Sequence, residues 1–527
     1  MATSLAQRPA AAAGPVRARH RGVVLGVLCV SLLIVTLDNT ILNIALPALV
    51  RALHASDAQL QWIVDAYAVV FGGLLLAAGS VSDRIGRKKV FLAGLLLFAA
   101  GSAAASFSGS VSELIWARAA MGVGAACIMP STLSIIADLF REPHERTRAI
   151  GLWSATSGLG IALGPIVGGW LLARFWWGSV FFVNVPIALA GALAALWIVP
   201  ESRDPRRRAV DFVGALAATA GLTMLLWAII ESPTRGWHAA AVLAVGASAV
   251  AVLAGFVLWE RHTSDPLLVF EAFHDRRFTV AMSAVAMAVF ALMGALFVLT
   301  QYLQFSLGYT AFQAGVRILP VAALLAVTAP ASTLLDRWLG TKAVVTGALV
   351  IIAAGLLWLS RISASGDFGH ALPGLLLLGA GAGLAIAPGT ASVIGALPPE
   401  RTGVGSATNG TALQTGGALG VAVIGAALAG RYQGHLGAVL AGHPMPAAVQ
   451  HAITGSLGGA LTVAHQVGGP LGAALADAAR AAFASGMDLA LGIGAIVVAL
   501  GALLVLIALP ARARVPADAK PAPPRES

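Results

Sequence analysis

Residues 22–50 read GVVLGVLCVSLLIVTLDNTILNIALPALV, and this stretch decides the fold. It is apolar for longer than the ~20 residues an α-helix needs to cross a hydrocarbon core. Yet it carries a carboxylate at Asp38, between Leu37 and Asn39. A charged side chain at that depth costs roughly 3 kcal/mol or more, so it generally marks an ion or substrate path. The default reading of Asp38 is a proton or cation site in a transporter.

The rest of the 527 residues follows suit, with 58% hydrophobic and 11% charged side chains and a mean hydropathy of +0.87. A soluble domain of this size cannot hide so much apolar surface. Apolar runs long enough to span recur along the chain, and the short alternating segments of a membrane β-barrel are missing. The expected fold class is an all-α polytopic membrane protein with the lipid bilayer as its solvent. The first run is too long for a signal-peptide core and lacks a small-residue cleavage site, so it is expected to stay in the mature protein. Cys29 and Cys127 both lie in apolar runs and imply no disulfide framework. The net charge of +10 could suggest nucleic acid. The basic residues sit instead in short loops between spans, as topology signals do, so no nucleic-acid partner is expected.

Fourteen spans are expected, at roughly 22–50, 60–81, 90–107, 112–138, 148–173, 179–199, 211–231, 238–259, 279–304, 313–335, 342–361, 371–397, 404–430 and 487–509. Most of the 33 basic residues fall on the side of the N-terminus, and only Arg51, Arg174, Arg235, Arg317, Arg361, Arg431 and Arg480 fall opposite. Positive loops face the cytoplasm, which puts both termini inside. The 431–486 segment is then one long extracellular loop, with Leu471 to Ala484 able to form an interfacial amphipathic helix. His435, His443, His451 and His465 in it match no ligand spacing, and no metal site is expected. The Pro/Ala-rich 511–527 tail reads as disordered.

An internal repeat organises these spans. Glu145-Arg146-Thr147 and Ser154-Ala155-Thr156-Ser157-Gly158 return as Glu400-Arg401-Thr402 and Ser406-Ala407-Thr408-Asn409-Gly410. Pro130-Ser131-Thr132 returns as Pro388-Gly389-Thr390, and Asp83-Arg84-Ile85-Gly86-Arg87-Lys88 as Asp336-Arg337-Trp338-Leu339-Gly340-Thr341-Lys342. Each echo follows its original by 252 to 258 residues, a distance of eight spans. The chain therefore divides into a cytoplasmic tail (1–21), a six-helix bundle (22–200), cytoplasmic loops with two inserted spans (201–277) and a second six-helix bundle (278–510). Two parallel repeats about an axis normal to the membrane imply a transporter with its site between the halves.

Four patterns carry mechanism. The loop from Gly79 to Lys89 pairs a turn glycine, Gly86, with Asp83, Arg84, Arg87 and Lys88. Arg118 lies inside span 4, where a guanidinium that never loses its charge needs partners; Gly122 and Ala126 on its face allow close helix approach. A structural ion pair alone would also account for it. In span 5, Gly158, Gly160, Gly164, Pro165, Gly168 and Gly169 suit a kinked helix packed backbone to backbone. In span 1, Asn39 and Asn43 sit one turn apart. Asp65, between Trp62 and Tyr67 in span 2, and Arg118 fall at about the depth of Asp38, in the outer half.

On these residues the chain resembles the major facilitator superfamily, in particular its fourteen-span drug:proton antiporters of the QacA/EmrB type. The opening span, the Gly79–Lys89 loop, Arg118 and the Gly158–Gly169 helix carry the likeness. Phe181-Phe182-Val183-Asn184-Val185-Pro186 and Gln301-Tyr302-Leu303-Gln304-Phe305-Ser306-Leu307-Gly308-Tyr309 add to it. The resemblance implies a major facilitator fold of two six-helix bundles plus two inserted helices, in a bacterial cytoplasmic membrane. It implies proton-driven export of hydrophobic, often cationic compounds by alternating access, by a monomer with no cofactor but the proton gradient. Asp38, Asp65 and Arg118 would handle the proton or cation. Asn39, Asn43, Trp62, Tyr67, Met121, Gln301, Gln304, Asn409 and Gln414 would line the substrate cavity. The loop around Asp83 would lock the cytoplasmic ends of the halves, and the span 5 helix would seal against leak. The second half departs from an acid-rich pattern: it has no deeply embedded carboxylate, Asp488 lying at the edge of its span, and offers amides instead.

The same fold could serve a dedicated exporter of a native metabolite, siderophore or lipid-like compound, or an uptake symporter, which the span 5 pattern disfavours. An enzyme or ATP-driven pump would call for a phosphate-binding loop or a His-Glu-x-x-His pair, and neither occurs.

Overall fold

A computed structural model of the chain describes residues 18–203, 210–263, 266–268, 270–363, 366–397, 402–441 and 445–509. The expected terminal tails up to 17 and from 511, the Arg206–Arg208 cluster, the Glu400-Arg401 echo and His443 lie outside them. Fourteen helices among the described residues are long and apolar enough to cross a membrane.

The first half comprises α1 (Ala18–Leu53), α2 (Asp57–Ile85), α3 (Arg87–Ser106), α4 (Val111–Leu139) and α5 (Pro143–Arg174). Its sixth span is broken into α6 (Ser179–Phe182) and α7 (Asn184–Ile198). The inserted pair is α8 (Phe212–Arg235) and α9 (Ala240–His262), followed by the single turn α10 (Phe270–Phe273). The second half comprises α11 (Arg276–Gln301) with a π turn at Tyr302–Ser306, α12 (Ala311–Leu339), α13 (Thr341–Ser360), α14 (Phe368–Gly395) and α15 (Thr402–Leu440). Two short helices, α16 (Ala447–Gly455) and α17 (Leu457–Val467), lead into α18 (Gly469–Ala508).

The repeat extends to the joints between helices. Ser56 and Gln59 form a capping box at the start of α2, and Thr310 and Gln313 form the same box at the start of α12. A single glycine joins α2 to α3 and α12 to α13: Gly86 at φ +134° and Gly340 at φ +81°. Both lie in the left-handed region that side chains rarely adopt.

Packing repeats as well. Helix α1 lies on α5, α2 and α3 lie on α4, and α3 lies on α7; correspondingly α11 lies on α15, α12 and α13 on α14, and α13 on α18. The halves meet reciprocally, α2 on α15 and α5 on α12, as a pseudo-two-fold axis requires. The inserted α8 packs beside the α2/α15 seam.

Let the face on which α1 begins be the near face and its opposite the far face. Contacts between the halves gather toward the far face. A methyl at Gly169 of α5 would meet Ala311 and Phe312 of α12, one at Gly315 of α12 would meet the Pro165 carbonyl, and one at Gly425 of α15 would meet Gln61 of α2. Gln304, in the π turn, donates to the Ile44 carbonyl of α1 at 3.0 Å. Gly458 of α17 sits between Val50 and Phe305. Toward the near face α5 and α12 expose apolar side chains such as Leu152, Leu159, Val327 and Leu334.

The 431–486 segment corrects an expectation. It is not one long loop: α15 runs on to Leu440, α16 and α17 follow, and α18 starts at Gly469. The Leu471–Ala484 stretch is the first part of that spanning helix, not a separate interfacial one. Alanine, the best helix former, outweighs the scattered glycines there, and Pro470 at the first turn needs no N–H partner.

Helix α5 rests on α1 through backbone. A methyl at Gly160 would fall 2.0 Å from Thr36 Oγ1, one at Gly164 2.0 Å from Thr40 Oγ1, and one at Gly168 2.6 Å from Ile41. Thr40 donates to the Gly160 carbonyl at 3.2 Å. Gly158, by contrast, has open space around it. Gly164→Ala is therefore expected to destabilise the folded protein by about 1–3 kcal/mol through overpacking. Gly158→Ala should be neutral or slightly stabilising through helix propensity. Thermal unfolding of the two variants in detergent micelles checks the contrast.

Candidate coupling site

The site is built on one buried ion pair. Asp38 of α1 and Arg118 of α4 have fully buried side chains and pair directly. Arg118 Nε donates to the Ile63 carbonyl of α2 at 3.1 Å, and the guanidinium lies 4.3 Å from the centre of the Tyr67 ring. Asn184, the first residue of α7, donates through Nδ2 to the other Asp38 oxygen at 3.0 Å. Tyr67 donates to the Val35 carbonyl at 3.4 Å. Four spans thus converge on one charge pair. Two oxygens bound by separate donors and a cation stacked on an aromatic face tie these four side chains to one another.

Asn184 was not singled out from the sequence as a site residue. Its signal was local: an amide where the sixth span breaks, two residues before Pro186. It is fully buried.

Asp65 does not join the pair. Ile63 and Tyr67 face Arg118, so Asp65, two residues from each, turns to the other side of α2. It is fully buried, and neither carboxylate oxygen has a hydrogen-bond partner among the described residues. The expected cluster of three charges is one pair plus one separate carboxyl.

The residues expected in the substrate cavity scatter. Thr40, Asn43 and Ile44 of α1 do line a mostly apolar cavity between the halves, with Ile161, Ala162 and Pro165 of α5, Leu292 and Leu296 of α11, and Ile318 to Leu325 of α12. Asn43 donates to the Asn39 carbonyl at 3.4 Å, and its own oxygen has no partner among the described residues; Asn39 is half-buried. Gln304 spans the halves through Ile44, and Gln301 is buried with its amide bonded to Phe297. Asn409 bonds to Thr390 of α14, and Gln414 packs on Gly72 at the α2/α15 seam. Three expectations are corrected. Trp62 packs against the small apolar cluster with Leu226 and Ile230 of inserted α8. Tyr67 lies beneath Arg118. Met121 is buried against Gly101 of α3. Helical spacing had set these residues at the right depth but could not say which neighbour each face meets.

The Gly79–Lys89 loop holds the first half together. Arg87 pairs with Asp83 at 2.8 Å and with Asp138 of α4, and its N–H donates to the Ser202 carbonyl at 2.9 Å. Lys88 Nζ donates to the Leu196 carbonyl at 2.8 Å. A methyl at Gly86 would fall 2.6 Å from Glu201 Oε1. Gly79 abuts Pro130, and Arg84 is exposed. These partners belong to the first half and to Glu201 and Ser202, which directly follow it. The lock between halves expected of this loop is not made among the described residues, where the halves meet toward the far face instead.

Comparison with known proteins accords with this architecture. The chain is 33% identical over 96% of its length, and 99% of the relative's, to the multidrug efflux pump LfrA of Mycolicibacterium smegmatis. It is 34% identical to the tetracenomycin C resistance and export protein of Streptomyces glaucescens, over 76% of this chain and 75% of that one. Among solved structures it resembles a bacterial homologue of the human lysosomal transporter Spinster, inward-facing and unoccupied. The TM-score is 0.64 at 17% identity, covering 93% of this chain and 98% of that one. The Major Facilitator Superfamily pattern matches residues 28–421. The chain belongs to the Major Facilitator Superfamily.

Proposed function

We propose that this chain is a proton-coupled efflux transporter, exporting hydrophobic or monocationic drugs and antibiotics by alternating access. In this reading it spans a bacterial cytoplasmic membrane with both termini inside, and the near face is cytoplasmic. The observation that carries the proposal is the fully buried Asp38–Arg118 pair in a chain of two repeated halves that enclose a mostly apolar cavity. Its relatives include proteins known as multidrug efflux pumps and antibiotic resistance proteins.

The chemistry follows from what each state of Asp38 does to Arg118. Ionised, Asp38 neutralises the guanidinium and ties α1 to α4 and α7. Protonated, it releases a cation that cannot lose its own charge, and the local packing of those helices must change. A substrate cation near α1 and a proton on Asp38 are then alternatives, which is what antiport requires. The cavity lining is apolar apart from Thr40 and Asn43 and holds no carboxylate among the described residues, which suits substrates of one positive charge or none.

Two outcomes test this reading with ethidium, a hydrophobic monocation, in proteoliposomes given a pH jump. Asp38→Asn should abolish proton-driven ethidium transport while the protein still inserts. Its folded state should also be weakened by about 3–5 kcal/mol, because Arg118 loses its counter-ion. Transport at the wild-type rate would remove Asp38 from the mechanism. Arg118→Lys should transport with a shifted pH–rate profile, since an ammonium is a point charge that can deprotonate when buried. An unchanged profile would make Arg118 a purely structural partner.

A further inference from the structure

A second set of buried polar groups lies outside the Asp38–Arg118 pair. Asp57, Gln61 and Asp65 follow one another at four-residue steps on α2, so they share one face, each about 6 Å along the axis from the next. That face packs on α15 across the join between the halves. Gln61 lies against Gly425, and Gly72, on the same face three turns along, lies against Gln414 and Thr411. This antiparallel register sets Asp65 level with Val421 and Asp57 near Tyr432.

The three side chains are at most 1% exposed. Both oxygens of Asp65, both amide atoms of Gln61 and one oxygen of Asp57 lack hydrogen-bond partners among the described residues. Buried polar groups without partners cost roughly 1–3 kcal/mol each, and charged ones more. The surroundings do not relieve them. Around the Asp65 level the seam is apolar, with Ala68, Val69, Ala418, Ala422, Leu226 and Ile230. Arg118 is on the other side of α2 and already committed to Asp38. Near Asp57 the titratable group from α15 is Tyr432, whose hydroxyl is already given to the Ile453 carbonyl at 3.0 Å. A line of three unsatisfied groups in one seam, running from the far end of α2 inward, is poor packing for a static protein. It suits a protein in which this seam parts and takes up water.

We propose that Asp57, Gln61 and Asp65 form the proton entrance of this transporter, lying in the α2/α15 seam and loading from the far face. The proposal rests on the proton-antiport reading above and adds to Asp38 a second proton carrier, Asp65, with its own route of loading. When the far face opens, α2 and α15 separate and water enters between them. A hydronium there gives its proton to the Asp57 carboxylate and leaves as water. The proton passes on through water held by the Gln61 amide to the Asp65 carboxylate, and Asp57 is again ionised and ready to load. Closing the seam buries Asp65 as a neutral acid, which is how an unpartnered carboxyl survives there. Opening the near face releases that proton to water on the other side. Gly425 has no side chain because Gln61 occupies its space: a methyl there would lie 2.6 Å from the Gln61 amide carbon.

The test uses the full chain in proteoliposomes, with pyranine inside to follow protons and ethidium as the transported probe. Proton-driven ethidium transport is compared with exchange of labelled for unlabelled ethidium at equal pH, which needs no net proton movement. Asp57→Asn and Gln61→Leu should slow the proton-driven rate by roughly tenfold or more while exchange stays within about twofold of wild type. Asp57→Glu should restore proton-driven transport with a displaced pH–rate profile. If Asp57→Asn and Gln61→Leu drive ethidium as wild type does, or lose exchange and driven transport to the same extent, the entrance is not there. If the wild type itself moves ethidium without moving protons, the antiport reading fails first, and the two failures are told apart by that control.

Discussion

The Asp38–Arg118 pair is the constraint around which the first half is arranged. A guanidinium inside a span has to be answered, and here it is answered by a carboxylate, a carbonyl and an aromatic face from two other helices. Asn184 closes the arrangement from a fourth, at the point where the sixth span breaks into α6 and α7. Remove the charge and little else demands that α1, α2, α4 and α7 converge at this depth. Elsewhere within its spans the first half is held mainly by apolar contact and by small residues that let backbones touch, with the polar bonds of the Gly79–Lys89 loop gathered at its near end.

Much of this fold was legible in the sequence because the bilayer reduces folding to a few rules. Spans must be long and apolar, loops carry the basic residues, and a repeat of distinctive residues fixes the division into halves. The Gly86 and Gly340 echo carried real structure, since both turn a corner only glycine makes comfortably. What failed was where rules of composition and rules of propensity disagree. The 431–486 segment looks like a loop by its glycines and is mostly helix by its alanines. The site was legible in depth but not in direction. Asp65, Trp62 and Met121 sit where a count of residues along each span would put them. Their azimuth is set by neighbours from elsewhere in the chain, which no local pattern records. Asn184 escapes a local reading because a lone amide in an apolar run has no spacing to betray it.

The two carboxyls of the first half differ by environment, not by depth. Asp38 has both oxygens engaged, while neither oxygen of Asp65 has a partner among the described residues. That difference arises from which side of α2 each group meets: Arg118 on one, the joint between halves on the other.

The crossings of α5 over α1 and α12 are made of glycine and main chain. Interlocked side chains act as teeth: turning one helix against another means lifting each tooth out of its hole. At Gly169 against Phe312 and Gly315 against Pro165 there are almost no teeth to lift. Such a contact behaves as a smooth pivot, holding two bodies close while offering little friction to rotation. At α1, by contrast, Gly160, Gly164 and Gly168 take up the Thr36, Thr40 and Ile41 side chains and Thr40 bonds the Gly160 carbonyl, which ties α5 to α1. The barrier to switching between the two access states then lies in the few polar bonds that cross between the halves, such as Gln304 to Ile44, and not in the pivot itself.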